Sequence, residues 1–290
     1  MKRFFLEFVK ILVIALALVF YNLNCKDNGT DPVDDPGIND TIPDIPGWTL
    51  VWNDEFNGPD IDTEKWEHEV NAWGGGNNEL QYYTAREENS YIEDGKLVIQ
   101  GLKETYTGPE GTRDYTSARL RTLNKGDWKY GRFEVKALLP YGQGLWPAIW
   151  MLPTDWVYGG WAASGEIDIM EMVGHDTKTV HGTLHYGGEW PNNVQSGNHY
   201  ILQEGTFSSD FHIFTLEWEE DEMRWYVDGN HYLTQNQWYS SDHGFPAPFD
   251  QRFHMLLNVA IGGNWPGSPD ETTVFPQKMI VDYVRVYTKD

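Results

Sequence analysis

Apolar side chains recur at every second position in five stretches of this chain: KLVIQGLK (96–103), YGRFEVKALLP (130–140), TVHGTLHY (179–186), FHIFTLEW (211–218) and MIVDYVRVY (279–287). That period belongs to strands with one face on a core. From Trp48 onward almost no helix signal competes with it, and no 3.6-residue apolar pattern of useful length survives. Asp228-Gly229, between Met223–Val227 and His231–Leu233, predicts a two-residue hairpin. Gly and Pro punctuate the rest, and there is no internal repeat. Many strands spaced by turns point to an all-β fold of two packed antiparallel sheets, a sandwich or jelly roll. The chain has 290 residues, and all-β sandwiches of this size often run as one domain. Sandwiches of this kind bind elongated ligands in a groove on one concave sheet, an expectation drawn from fold-level analogy.

The front of the chain obeys a different logic. Lys2 and Arg3 precede an apolar run from Ile11 to Phe20, too short to span a bilayer comfortably, so residues 1–24 read as an export signal. Cys25 follows directly and is the only cysteine, so no internal disulfide can form. Its place resembles the lipid-attachment cysteine of bacterial lipoproteins, although Asn24 stands where a small residue is usual. Residues 25–46 are rich in Asp, Pro, Gly and Asn with no apolar period, and read as an extended acidic linker. The expected product is an exported domain, residues 47–290, with a lipid tether as its only membrane contact.

Charge and aromatic content narrow the partners. A formal net charge of −23 argues against nucleic acid, which needs a basic face, and disfavours an anionic polysaccharide. The chain carries 14 Trp, more than a core of this size usually needs. Flat indoles suit the apolar faces of sugar rings, and the indole N–H can find a polar partner at a wet site.

Three carboxylates crowd into Gly165-Glu166-Ile167-Asp168-Ile169-Met170-Glu171. Alternation puts Glu166 and Asp168 on one face and Ile167 and Ile169 in the core. Glu171 is out of step by one residue, and a β-bulge at Met170 returns it to the shared face. Three close carboxylates repel one another, so a purely structural role has to explain that cost. Metal binding is one use, but calcium prefers ligands wrapped around it by a turning loop. Glycoside hydrolysis is another: retaining enzymes need two carboxyls about 5–5.5 Å apart. Strand residues four apart lie roughly 13 Å apart at Cα, a span that two inward-leaning Glu side chains can close to that gap. Asp168 between them could keep a proton nearby and tune both. A solvated acidic face is the plainer alternative.

The GEIDIME strand resembles the active-site strand of glycoside hydrolase family 16, and the extra Met170 resembles its laminarinase-like branch. Supporting matches run through WNDEFNG (52–58), NNELQYYT (77–84), TSARL (116–120), YGRFEVKALLP (130–140), GLWPAIWMLP (144–153), HGTLHY (181–186), NVAIGGNW (258–265) and VDYVRVY (281–287). The resemblance implies a β-jelly-roll sandwich with its substrate groove on the concave face, and retaining attack on internal β-1,3 or mixed β-1,3/1,4 glucosidic bonds. By the same resemblance Glu166 is the nucleophile, Glu171 the acid/base and Asp168 the helper that hydrogen-bonds the nucleophile. Trp146 and Trp150 would shape the subsites beside the scissile bond, and His185 would face the same centre. Asn78 and Arg119 would bond glucose hydroxyls, and Trp265 would stack on a leaving-group-side sugar. No catalytic cofactor is implied. A structural calcium is, on the outer face, held by the carbonyls of Glu55 and Gly95 and the side chain of Asp282.

Other readings share these residues. Agarose, carrageenan or lichenan could be the substrate, a transglycosylase would use the same nucleophile, and a binding module would have lost the glutamates that are present here. The chain is expected to act as a monomer on a β-glucan.

Overall fold

The alternating stretches resolve into two eight-stranded sheets packed face to face, with every neighbouring pair in them antiparallel. The computed structural model describes residues 42–290. The expectations for residues 1–24, for Cys25 and for most of the linker lie outside the described residues. The compact unit runs from Asp44 to Asp290, three residues ahead of the expected start.

One sheet carries, in order, Asn230–Gln235, Met223–Val227, His212–Trp218, Gly131–Leu138, Gln277–Lys289, Lys96–Gly101 and Ser90–Glu93, with Trp48–Asp54 also on Gln277–Lys289. The other carries Asn193–Ile201, Thr179–Gly187, Glu166–Glu171, Leu145–Pro153, Phe253–Ile261, Arg119–Arg121 and Glu67–His68, with Asp127–Trp128 on Phe253–Ile261. Among the described residues the one helical element is the 3-10 turn Gly74–Gly76. All five alternating stretches are strands to within a few residues. Asp228 and Gly229 both take positive φ, 50° and 76°, the backbone of a type I′ hairpin turn whose twist matches its strands.

The core lies between the sheets. Phe133, Val135, Leu216, Trp218, Trp225, Val284 and Val286 come from the first sheet; Ile149, Met151, Ile167, Leu184, Met255 and Leu257 come from the second. Alternation leaves the opposite face of the second sheet to polar and half-buried side chains. On Thr179–Gly187, for example, Thr179, His181, Thr183 and His185 are half-buried, while Val180, Gly182, Leu184 and Tyr186 are buried.

The expected bulge is present, and it spans Ile169 and Met170. On one side Trp150 pairs with Asp168 and Ile149 with Met170, so Ile169 has no opposite number. On the other side Asp168 pairs with Thr183 and Glu171 with His181, leaving Ile169 and Met170 against Gly182 alone. Both bulge side chains are buried in the core, and placing two consecutive residues on that side restores Glu171 to the polar face. Gly182 is required here by space: an added Cβ would stand 2.7 Å from both Trp225 Cδ1 and the Tyr232 hydroxyl. Trp225 of the first sheet uses that room and donates its indole N–H to the Asp168 carbonyl at 2.9 Å. A bulge locally disrupts its ladder, and this bond gives a backbone carbonyl at that point a buried partner.

Candidate active site

The polar face of the second sheet brings the three carboxylates together by register. Glu166 lies opposite His185, Asp168 opposite Thr183, and Glu171 opposite His181. Each outer carboxylate receives one indole N–H: Trp161 Nε1 donates to Glu166 Oε2 at 2.9 Å, and Trp146 Nε1 donates to Glu171 Oε1 at 2.9 Å. Trp161 comes from the loop ahead of the strand, Trp146 from the neighbouring strand Leu145–Pro153. Asp168 is buried between the glutamates, and His185 Nε2 stands 3.2 Å from its Oδ2 and 3.7 Å from Glu166 Oε1. The Trp161 ring covers His185 with centroids 5.6 Å apart.

Electrostatics follow from that crowding. Burial pushes the Glu166 carboxyl up, and the Asp168 charge adds to it. His185, the Trp161 N–H and Arg119 oppose the rise, leaving it at about 7 against an ordinary 4.5. Burial and then the charges of Asp168 and Glu166 hold Glu171 well above its ordinary value. Burial lowers His185, but the close approach of Asp168 and the charges of the three surrounding carboxylates outweigh it and bring the imidazole to about 9. The site therefore tends to hold protons through neutral pH. Ligand atoms of Glu166, Asp168 and His185 lie within 4.8 Å of one another, close enough for a metal ion, although here they face one another as an ion-paired set.

Around this centre the aromatic residues form walls. Trp150 is half-buried and donates its N–H to Asn258 Oδ1 at 2.7 Å. Trp265 is exposed and meets Trp146 edge-on at 5.4 Å and His181 at 5.1 Å. Asn78 is exposed and donates to Asn264 Oδ1 at 2.9 Å, which places it at the rim beside Trp265. A cleft of about 260 Å³ continues from His181 and Thr183 over the edge strand, lined by Gln195, Gly197 and His199.

Arg119 has a different station from a residue open to sugar. It is buried, its guanidinium lies 5.2 Å beneath the Trp150 ring and 4.4 Å from Tyr83, and its charge is held by Glu69 at 3.2 Å and Glu79 at 3.7 Å. Arg119 and Asn258 both donate to the Tyr83 hydroxyl, at 3.3 and 3.2 Å. A polar network thus fixes Trp150 from behind, and Arg119 supports the wall. The sequence reading assigned no role to Trp161, Tyr83, Glu79 or Asn258. The one available signal for Trp161 was its place five residues before Glu166.

The residues expected to hold calcium lie on the far sheet. Asp282 already faces Lys136 Nζ at 2.7 Å and Lys96 Nζ at 3.7 Å, and the Glu55 carboxylate is bound by Arg285 at 2.8–2.9 Å. This donor set fits a divalent cation poorly, because its one side-chain carboxylate, Asp282, is neutralised by two ammonium groups.

Comparison with known proteins places the chain. The family described as Glycosyl hydrolases family 16 matches residues 76–285. The chain is 46% identical over 265 residues to glucan endo-1,3-beta-glucosidase A1 of Niallia circulans, covering 85% of this chain and 39% of that protein. It is 44% identical over 257 residues to the beta-glucanase of Rhodothermus marinus, covering 83% of this chain and 86% of that one. The laminarinase catalytic domain of Thermotoga maritima MSB8 superposes with a TM-score of 0.75 at 46% identity, covering 84% of this chain and 98% of that one. The chain thus spans less than half of the Niallia protein and nearly all of the Thermotoga catalytic domain.

The proton-holding site makes stability depend on pH in a definite direction. A carboxyl raised on folding binds its proton more tightly in the folded state, so stability is lost as pH rises from about 4.5 through about 7. His185, also raised, contributes fully below its unfolded value of 6.5 and loses that contribution as pH passes about 9. Glu166→Gln removes the buried ionisation. Its Tm should exceed wild type by a few degrees at pH 8, with the gain vanishing near pH 4, in thermal scans across that range. An offset that does not change with pH would contradict the burial of this carboxylate.

Proposed function

This chain belongs to glycosyl hydrolase family 16, and from that membership we propose that it is a retaining endo-β-glucanase acting on internal β-1,3 bonds of a laminarin-like glucan. The observation that carries the reading is the bulged strand: Glu166 and Glu171 share one face, each held by an indole N–H, with the Asp168–His185 pair beside them. The names of the relatives, glucan endo-1,3-beta-glucosidase, beta-glucanase and laminarinase, support the linkage.

In this mechanism two raised carboxyls share one proton. His185 opposes the rise at both glutamates and Arg119 opposes it at Glu166, so in this reading the shared proton rests on Glu171 and Glu166 carries the charge. The Glu166 carboxylate attacks the anomeric carbon while the glycosidic C–O bond breaks, and Glu171 gives its proton to the departing oxygen. Water then enters, Glu171 takes one of its protons, and the oxygen attacks the anomeric carbon to release Glu166. Two inversions leave the product with the configuration of the substrate. His185, set between Glu166 and Asp168, limits the repulsion between the two carboxylates and helps to orient the Glu166 carboxylate. Trp146, Trp150 and Trp265 offer ring faces to glucosyl units, Asn78 offers a rim hydrogen bond, and Arg119 acts through Trp150. Mixed β-1,3/1,4-glucan is the second substrate reading, separated from the first by product profiles on laminarin and lichenan.

Glu166→Ala should lose turnover by about a thousandfold or more. Added azide should restore cleavage of an activated β-glucoside substrate and yield the α-glycosyl azide, because a small anion fits the vacated space and attacks from that face. The product is read by NMR. A Glu166→Ala protein of unchanged activity, or rescue that gives the β-azide, would sink the nucleophile assignment.

We propose separately that the mature protein begins at a lipidated Cys25, on the motive of a sole cysteine behind an apolar export run and before an acidic spacer. Cys25→Ser should then release an active enzyme from the membrane fraction. A Cys25→Ser protein that still pellets with membranes would contradict the tether.

A further inference from the structure

Trp190 is 73% exposed, more than any other large hydrophobic side chain among the described residues. It stands in the turn between Thr179–Gly187 and Asn193–Ile201, at the end of the sheet where Glu166 faces His185. An indole left in water at that place is available to a ligand, and a sugar ring has an apolar face of matching shape.

The turn is fastened to the loop that carries Trp161. The Trp190 backbone N–H donates to the Trp161 carbonyl at 3.0 Å. One residue earlier on each side, the Gly160 N–H donates to Glu189 Oε1 at 2.6 Å. The approach is close: a Cβ on Gly159 or Gly160 would stand 2.8 or 3.1 Å from Glu189 Oε1, and Gly159 takes a φ of 109° that favours glycine. The Trp161 indole lies between two rings, 6.5 Å from Trp190 and 5.6 Å from His185. Its N–H ends on Glu166. A short contact chain therefore runs from a solvent-exposed ring to the carboxylate that attacks.

We propose that Trp190 is a stacking platform for a glucosyl unit of a long chain, and that loading it steadies Trp161 and so the direction of the Glu166 carboxylate. The inference rests on the glucanase reading above and adds a reason for long chains to be preferred over short ones. Trp190 touches substrate; Trp161 and Glu189 are positioning residues. A short oligosaccharide that cannot reach Trp190 while spanning the cleavage point forgoes this contact. A polymer always has a unit to place there.

The test compares wild type, Trp190→Ala and Trp190→Phe on laminarin and on laminaritriose, with retention on insoluble β-1,3-glucan measured in parallel. Stacking on one ring is worth about 0.5–1.5 kcal/mol, and about 1.4 kcal/mol is tenfold. The polymer-to-trisaccharide ratio of kcat/KM should therefore fall up to about tenfold in Trp190→Ala. Retention should fall with it, and Trp190→Phe should recover most of both. Because Trp190 is exposed, Tm should be unchanged. A ratio and a retention that stay at wild-type values would overturn the proposal, as would equal losses on both substrates, which mark a structural role. Failure of the functional reading looks different: a wild-type protein that cleaves neither substrate. Retention on the insoluble glucan needs no turnover and still reads the platform in that case.

Discussion

The Trp225–Asp168 contact, where a side chain of one sheet fills the space left by Gly182 beside the bulge in the other, underlies the arrangement of the site. Without the bulge at Ile169–Met170, strict alternation would turn Glu171 toward the core. With it, two buried side chains stand against Gly182 alone, and the second sheet departs from regular pairing at that point. Trp225 answers that departure with a 2.9 Å hydrogen bond to the Asp168 carbonyl. The core thus holds in place the irregularity on which the polar face depends, and the missing side chain of Gly182 provides the room.

The same strand carries an electrostatic cost. Burial raises both glutamates, and Asp168 raises them further. The structure offsets this locally rather than with a salt-bridged arginine at the centre. Two indole N–H groups and one charged imidazole face the carboxylates, and Arg119 acts at longer range from beneath Trp150. Groups with incompletely offset burial are the ones whose proton affinities fall in the working range of acid–base chemistry. Stability and function are in tension here in the way expected of a catalytic centre.

Much of this was legible in the sequence because strand period and family motif agree. The five alternating stretches and the bulge needed only the rule that side chains change sides at each residue, and the Asp228-Gly229 turn only the preference of that pair for positive φ. What escaped the sequence lies where that rule is silent. Trp161 sits in the loop WVYGGWAASG, which has no period, and its bond to Glu166 arises from the fold of that loop. Asn258 lies in Phe253–Ile261, buried along its whole length, so no alternation separates its polar face from its apolar one. Arg119 was legible as a polar group near the site. Its burial under Trp150 depends on Glu69 and Glu79, which arrive from distant parts of the chain. The calcium expectation rested on backbone carbonyls, which leave no trace in sequence, and the two lysines on Asp282 come from separate strands.

The central claim is that one bulged strand sets two carboxyls on the same face, close enough for a double displacement. The most direct measurement is the anomeric configuration of the first-formed product, followed by ¹H NMR during wild-type hydrolysis of laminarin before mutarotation equilibrates it. The account predicts that the β-anomer appears first and the α-anomer grows in later. An α-anomer formed first would mean a single displacement by water, and would contradict the assignment of Glu166 as nucleophile.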